Sequence, residues 1–241
     1  MNKFTSIILK NKLRASVFLF TTMFLVGLLM FLIFFNPVNL RVQNYYAYGD
    51  SITKGSHSKT NYMEWFRQLF NITGNISYNI DGSAKTTQWG LENFVANCND
   101  KQDYIVFDAF GFCDEYFEID PQITAQNKVE MYNLSKELNI KNYFVCIPVR
   151  TMYDWDVEYE YVEATEDLCN RFNIPFIRLY DAVDSIPYNE QFDEHNSSYF
   201  ADDIHPNEHG HAVMSIYIWN YLNNYYNTGE SRYVGEWSET S

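Results

Sequence analysis

The sequence predicts an α/β protein, a parallel sheet with helices on both faces, carried behind one N-terminal membrane span. Three observations predict it. Short, mostly apolar runs alternate with amphipathic stretches from residue 44 to residue 226; no internal repeat or low-complexity block interrupts them; and an uncharged stretch from Ala15 to Phe35 precedes them. Runs that are apolar throughout suit parallel strands buried on both faces, and regular β-α alternation suits a sheet sandwiched between helices.

The apolar stretch comes first. As a helix it reaches about 30 Å, the thickness of a hydrocarbon core. A cleaved signal peptide has a shorter apolar region, roughly 7 to 15 residues, and then a small-residue cleavage site. Here Phe34, Phe35, Asn36 and Pro37 follow instead, so an uncleaved anchor is expected. Lys3, Lys10, Lys12 and Arg14 all precede the span and Arg41 alone follows closely, which leaves the N-terminus in the cytoplasm and the domain outside the cell membrane. The expected organisation is a cytoplasmic tail at 1–14, an anchor at 15–35, a linker at 36–43, one globular domain at 44–226 and a C-terminal tail at 227–241.

Within the domain, strands are predicted at Asn44–Tyr48, Ile76–Ile80, Tyr104–Phe110, Tyr143–Pro148 and Pro175–Leu179. Helices are predicted at Tyr62–Phe70, Thr87–Ala96, Pro121–Leu138, Val157–Phe172 and Glu208–Tyr226. In the last of these Val213, Ile216, Tyr217 and Leu222 recur near helical spacing. In such an architecture ligands bind beyond the carboxyl ends of the strands, so catalytic residues are expected just after a strand.

Charge narrows the partners. The chain has 17 Lys and Arg against 31 Asp and Glu, and the four bases ahead of the span leave the exported part more acidic still. Such a domain repels phosphate backbones, so no nucleic-acid partner is expected, and anionic headgroups make a poor substrate surface. The four cysteines, Cys98, Cys113, Cys146 and Cys169, lack the spacing of a disulfide scaffold or a zinc site and are expected as buried free thiols. Sequons at Asn71, Asn75, Asn133 and Asn196 are compatible with export.

Directly after the first predicted strand comes Gly49-Asp50-Ser51-Ile52-Thr53-Lys54-Gly55, a serine where strand meets loop. Near the far end stands Asp202-Asp203-Ile204-His205-Pro206-Asn207, in which an acid three residues before a histidine can fold back onto its ring. A serine hydroxyl is a poor nucleophile at neutral pH. It needs a base within hydrogen-bond reach, and the base needs a carboxylate to fix its tautomer and stabilise its charged form. Ser51, His205 and Asp202 supply those three roles.

With these two blocks in place, the chain resembles the GDSL or SGNH hydrolase family. Its first block reads like Gly49-Asp50-Ser51-Ile52-Thr53, and its last like Asp202-x-x-His205-Pro206-Asn207 with Gly210-His211 following. The resemblance implies a three-layer, flavodoxin-like α/β/α fold, a serine esterase or acyl-transfer mechanism on esters, often acetyl esters, and no metal or other cofactor. It also implies an oxyanion hole from the Ser51 backbone, the second block and the third block. Both middle blocks depart from the pattern. Asn79-Ile80-Asp81-Gly82-Ser83-Ala84 stands for Asn-x-Gly-x-Ser-Gly, so the donor falls on Ala84 or Gly82; Gly111-Phe112-Cys113-Asp114 stands for Gly-x-Asn-Asp, so Cys113 replaces an amide donor. Losing one oxyanion donor costs ~10² to 10³ in rate.

Other signals carry less chemistry. His205, His209 and His211 beside Asp202 and Asp203 suggest a metal cluster, but Pro206 favours a helix beginning at or after that point with His205 outside it, and no metal is expected. Tyr153 and Trp155, among the acids after the fourth strand, are candidates for stacking on a sugar ring, with Asp50 as a further substrate contact; the alternative is a helix start with aromatics turned to the core. The polar stretch Ser185 to Phe200 reads as a loop over the site. The expected function is a membrane-anchored, extracytoplasmic serine esterase removing small O-acyl groups, acetyl foremost, from carbohydrate or related esters. An O-acyltransferase using the same triad, or a non-catalytic surface binding module on the same fold, are the alternatives.

Overall fold

The computed structural model describes residues 38–147, 155–184, 199–202 and 204–228. The chain divides into two units, Met1–Val38 and Asn39–Ser241, and everything below belongs to the second. Among the described residues no helix is long and apolar enough to cross a membrane; the span expected at Ala15–Phe35 lies outside them, as do 185–198 and the tail from 229.

After a 3-10 turn at Leu40–Val42 the described elements run β1 (Asn44–Gly49), α1 (Ser51–Lys54), α2 (Tyr62–Phe70), β2 (Ile76–Tyr78), α3 (Thr87–Cys98), β3 (Tyr104–Ala109), α4 (Phe112–Tyr116), α5 (Pro121–Glu137), β4 (Asn142–Ile147), α6 (Trp155–Phe172), β5 (Phe176–Arg178), α7 (Leu179–Asp184) and α8 (Glu208–Thr228). The five strands form one sheet in the order β2-β1-β3-β4-β5, and every pairing is parallel. This is a doubly wound order whose direction reverses at β1, so the crevice for a ligand opens between the carboxyl ends of β1 and β3.

Alternate residues feed two cores. Tyr45, Ala47, Ile105, Phe107, Phe144 and Cys146 face the side covered by Phe66 of α2 and Ile218 and Leu222 of α8. Tyr46, Tyr48, Val106, Tyr143, Val145 and Ile147 face the side covered by Phe94 of α3, Met131 of α5 and Val162 of α6. Burial on both faces is why the strands read as unbroken apolar runs in the sequence. Two of the buried tyrosines on β1 keep their hydroxyls satisfied: Tyr45 donates to the Leu40 carbonyl at 2.6 Å and Tyr48 to the Gly90 carbonyl at 2.8 Å.

The strands and helices predicted within the domain are present with shifted ends, and among the described residues three short α-helices are additional to them. β2 stops at Tyr78 because Asn79 turns its side chain onto β1, leaving Ile80 as an exposed loop residue. Leu179 opens α7 rather than ending β5; with Ala182 it continues the core as a helix face. α1 and α4 are too short for a periodic signal. All four cysteines are free and buried.

Candidate active site

The site is built from the loops that leave β1, β2 and β3. β1 and β3 are in register with Gly49 beside Ala109, so the chain emerges from both strands side by side. Asn79, just past β2, clamps the Gly49 peptide from both ends: Gly49 N–H donates to its Oδ1 at 2.7 Å, and its Nδ2 donates to the Gly49 carbonyl at 2.9 Å. Gly82 packs on that same carbonyl so closely that any Cβ would overlap the oxygen. The peptide ahead of the serine is therefore held in place by a glycine and an asparagine from the neighbouring loop.

Asp50 caps α1, its Oδ1 accepting from Ile52 N–H at 3.0 Å. That places Ser51 in the first turn, where helical N–H groups have no partner within the helix. Asp50 is 1% exposed, so it is not the substrate contact expected of it; its work is to set the turn that presents Ser51. Burial pushes its carboxyl up to about 7, against the Ile52 N–H, the Lys128 charge and the Phe112 N–H.

The base comes from the other end of the chain. Phe200 and Pro206 pair across a tight antiparallel bridge, with Ala201 N–H donating to the His205 carbonyl at 2.8 Å and Asn207 N–H to the Tyr199 carbonyl at 2.9 Å. Inside this loop Asp202 Oδ1 accepts from the backbone N–H groups of Ile204 at 2.9 Å and His205 at 2.6 Å, which aims the carboxylate at the ring. His205 Nδ1 lies 2.9 Å from Asp202 Oδ2 and its Nε2 lies 3.0 Å from Ser51 Oγ. Burial alone raises the Asp202 carboxyl, but the His205 N–H, the His205 ring and the Ile204 N–H together hold it below the usual carboxylate range. Asn207 then accepts from the N–H groups of His209 and Gly210 at the start of α8, so the base-bearing loop is stitched to a helix packed in the core.

Cys113 lies in α4, directly beyond β3, and is almost fully buried. Burial, with the negative charges of Asp50 and Asp114, pushes its thiol up, while the Lys85 backbone N–H beside the sulfur pulls the other way. The sulfur therefore keeps its proton at neutral pH, which makes it a weak donor and no nucleophile. Ala84, in the second block, stands at φ 54, the left-handed region that glycine occupies at no cost. Asp114, the other polar residue of the third block, is fully buried and joins three helices: it accepts from Thr87 N–H at 2.7 Å, from the Thr87 hydroxyl and from the Thr124 hydroxyl at 2.7 Å.

Tyr153 and Asp203 lie outside the described residues, and Trp155 opens α6. In the same helix Tyr161 is buried, its hydroxyl donating to the Ile119 carbonyl, whereas Tyr159 is exposed. The three C-terminal histidines do not act together. His211 is wholly buried with neither ring nitrogen bonded, and burial lowers its pKa to about 3. Sequence reasoning missed His57, whose ring sits 4.8 Å from that of His205 in the loop after α1. It also missed Asn79 as a positioning residue, and the wholly buried Lys128–Asp108 ion pair beneath the site, 3.2 Å apart. Asn79 opens the second block and could have been singled out; His57 carries no local signal.

A serine hydroxyl on an imidazole, itself on a carboxylate, beside backbone N–H groups at a helix start, is an arrangement that can attack a carbonyl and stabilise the charge that develops. A search of curated proteins finds no sequence match. Solved structures share the fold. A lipase/acylhydrolase from Enterococcus faecalis is 18% identical, with 76% of this chain and 96% of that one covered at a TM-score of 0.61. The acetyl xylan esterase AlAXEase is 15% identical, covering 73% and 98% at 0.59. A catalytic mutant of Axe2, an acetylxylan esterase from Geobacillus stearothermophilus, is 12% identical, covering 74% and 93% at 0.57. The GDSL-like lipase/acylhydrolase family model matches residues 47–213, from within β1 to within α8 and so across every block described above. The chain belongs to the GDSL-like lipase/acylhydrolase family and is a serine hydrolase of ester bonds.

Proposed function

We propose that this protein removes a short acyl group, acetyl foremost, from a carbohydrate or similar polyhydroxy alcohol outside the membrane to which its N-terminal span tethers it. Ser51 Oγ attacks the ester carbonyl while His205 Nε2 takes its proton. The developing oxyanion is met by the Ser51 N–H, a backbone N–H of Gly82 or Ala84 and, weakly, the Cys113 S–H. His205 then returns the proton to the leaving alkoxide, a water is activated by the same nitrogen, and the acyl-enzyme is hydrolysed. Asp202 holds Nδ1–H and stabilises the imidazolium.

The observation that carries this reading is the unbroken chain from Ser51 Oγ through His205 to Asp202, at 3.0 and 2.9 Å. A polar alcohol is favoured by the cleft of about 350 Å³ beside His205, lined by His57, Ser58, Lys59, Asn207, Glu208 and His209. Acetyl xylan esterases among proteins of the same fold point the same way. The anchor rests on the uncharged run Ala15–Phe35 and the bases ahead of it.

Activity is tested with a short-chain aryl acetate and a serine-directed fluorophosphonate. The wild type should hydrolyse the first and be labelled by the second, and Ser51→Ala should lose both. Full hydrolysis by Ser51→Ala refutes the mechanism. Protease added outside intact cells should digest the domain and spare residues 1–14; a soluble form beginning near residue 36 refutes the anchor.

A further inference from the structure

A second constellation shares the triad's base and acid and adds His57, which hydrolysis does not use. His57, Asp202 and His205 bring one ligand atom each to within 4.8 Å of one another. His57 Nε2 is 3.7 Å from Asp202 Oδ2, and His205 Nδ1 is 2.9 Å from the same oxygen. A tetrahedral zinc ion with bonds of about 2.0 to 2.2 Å sets its ligand atoms about 3.3 to 3.6 Å apart. The first distance closes and the second opens by a few tenths of an ångström to meet that spacing. His57 supplies any larger movement, because its side chain is 61% exposed, and Asp202 is open to solvent at 39%. Two imidazoles and one carboxylate are a donor set that suits a borderline-soft divalent ion, with water completing the shell.

We propose that His57, Asp202 and His205 form an inhibitory site for a zinc-class divalent cation, which switches the hydrolase off by capturing its base. The inhibition rests on the esterase reading; the binding does not. An ion on Nδ1 takes the lone pair of that nitrogen, so the proton that Nδ1 had donated to Asp202 passes through solvent to Nε2. Nε2–H then donates to Ser51 Oγ instead of accepting from it. The serine loses its base and the carboxylate is committed to the ion; beyond the metal's own bonds, one N–H bond breaks at Nδ1 and one forms at Nε2, with no net gain or loss of protons. Removal of the ion by a chelator restores the original tautomer.

Binding is tested on full-length Ser51→Ala, which keeps all three ligands and turns nothing over, by calorimetric titration with Zn²⁺. One ion per chain is expected, and His57→Asn should weaken it at least tenfold. Asparagine suits this position because His57 sits at φ 62, which asparagine tolerates, so the loop keeps its shape. His209→Ala, a change to another histidine of the same cleft, should bind as Ser51→Ala does. In the wild-type background Zn²⁺ should inhibit aryl acetate hydrolysis reversibly by EDTA, and His57→Asn should need at least tenfold more zinc for the same fractional inhibition. Zinc binding unchanged in His57→Asn, or lost in His209→Ala, overturns the proposal whatever the esterase assay shows. Binding intact with no ester hydrolysed by any form supports the site and refutes the esterase reading alone.

Discussion

Cys113 occupies the position where the family pattern has an asparagine, and the structure keeps its sulfur buried, protonated and beside the Lys85 N–H. Replacing it with Asn should return an amide to the developing oxyanion. The gain belongs in kcat, about 10-fold, with KM little changed, because the donor acts on charge present chiefly in the transition state. A fall in kcat with the fold intact would show that the pocket is built around the thiol. In Asp202→Asn, a neutral amide in place of the carboxylate no longer stabilises the imidazolium, and kcat should fall by ~10² to 10⁴. A chelator should leave the activity of wild-type protein undiminished, since no step of hydrolysis calls on a metal; loss restored by added metal would refute the serine mechanism.

Two elements, α5 and β3, meet at Lys128 and Asp108. α5 buries Thr124, Met131 and Ser135 on the same face as Lys128, so the lysine reaches into the layer beneath the sheet. There it donates to Asp108 Oδ1 and to the Cys146 carbonyl, each at 3.2 Å. Burial raises the Asp108 carboxyl, and the Lys128 charge opposes that rise. Lys128→Met strands a buried carboxylate and should cost about 3 to 5 kcal/mol in urea unfolding, with Asp108→Asn in the same chain recovering part of the loss. A cost under about 1 kcal/mol would mean that water reaches the pair. The loop after β2 offers the opposite change: Ala84→Gly should add roughly 1 kcal/mol, because glycine occupies φ 54 without a Cβ penalty.

At the scale of the whole molecule, two buried groups tilt stability against pH in opposite directions. Asp50 is raised from 3.8 to about 7 in the folded state. The folded chain holds that proton more tightly than the unfolded one, so this contribution declines as pH rises from about 4 to about 7. His211 is lowered from 6.5 to about 3. There the unfolded chain binds the proton first, so this contribution declines as pH falls below 6.5. Between pH 5 and 7.5 each is worth about 2 kcal/mol, and they largely offset one another. Asp50→Asn, which keeps the cap acceptor, should become relatively more stable towards pH 7.5, and His211→Phe relatively more stable towards pH 5. Urea midpoints at the two pH values measure this; a tilt of the same sign in both variants would refute it.

The sequence by itself determined the order of strands and helices, because strands buried on both faces must be apolar throughout, and it determined the family, because the two terminal blocks carry residue types that the chemistry demands. It could not place α1 and α4, which are shorter than any periodicity, nor the end of β2, which depends on Asn79 reaching across to Gly49. Asp50 looked like a site residue by its neighbour and proved to be a cap, since which way a side chain points after a strand is decided by the turn that follows. His57 and the Lys128–Asp108 pair were illegible for one reason: their partners lie 145 and 20 residues away, and only the packed fold brings such groups within ångströms. The hydrogen bond between Ser51 and His205, across 154 residues, was expected from roles alone; its length and geometry were decided by the loop that the Phe200–Pro206 bridge closes.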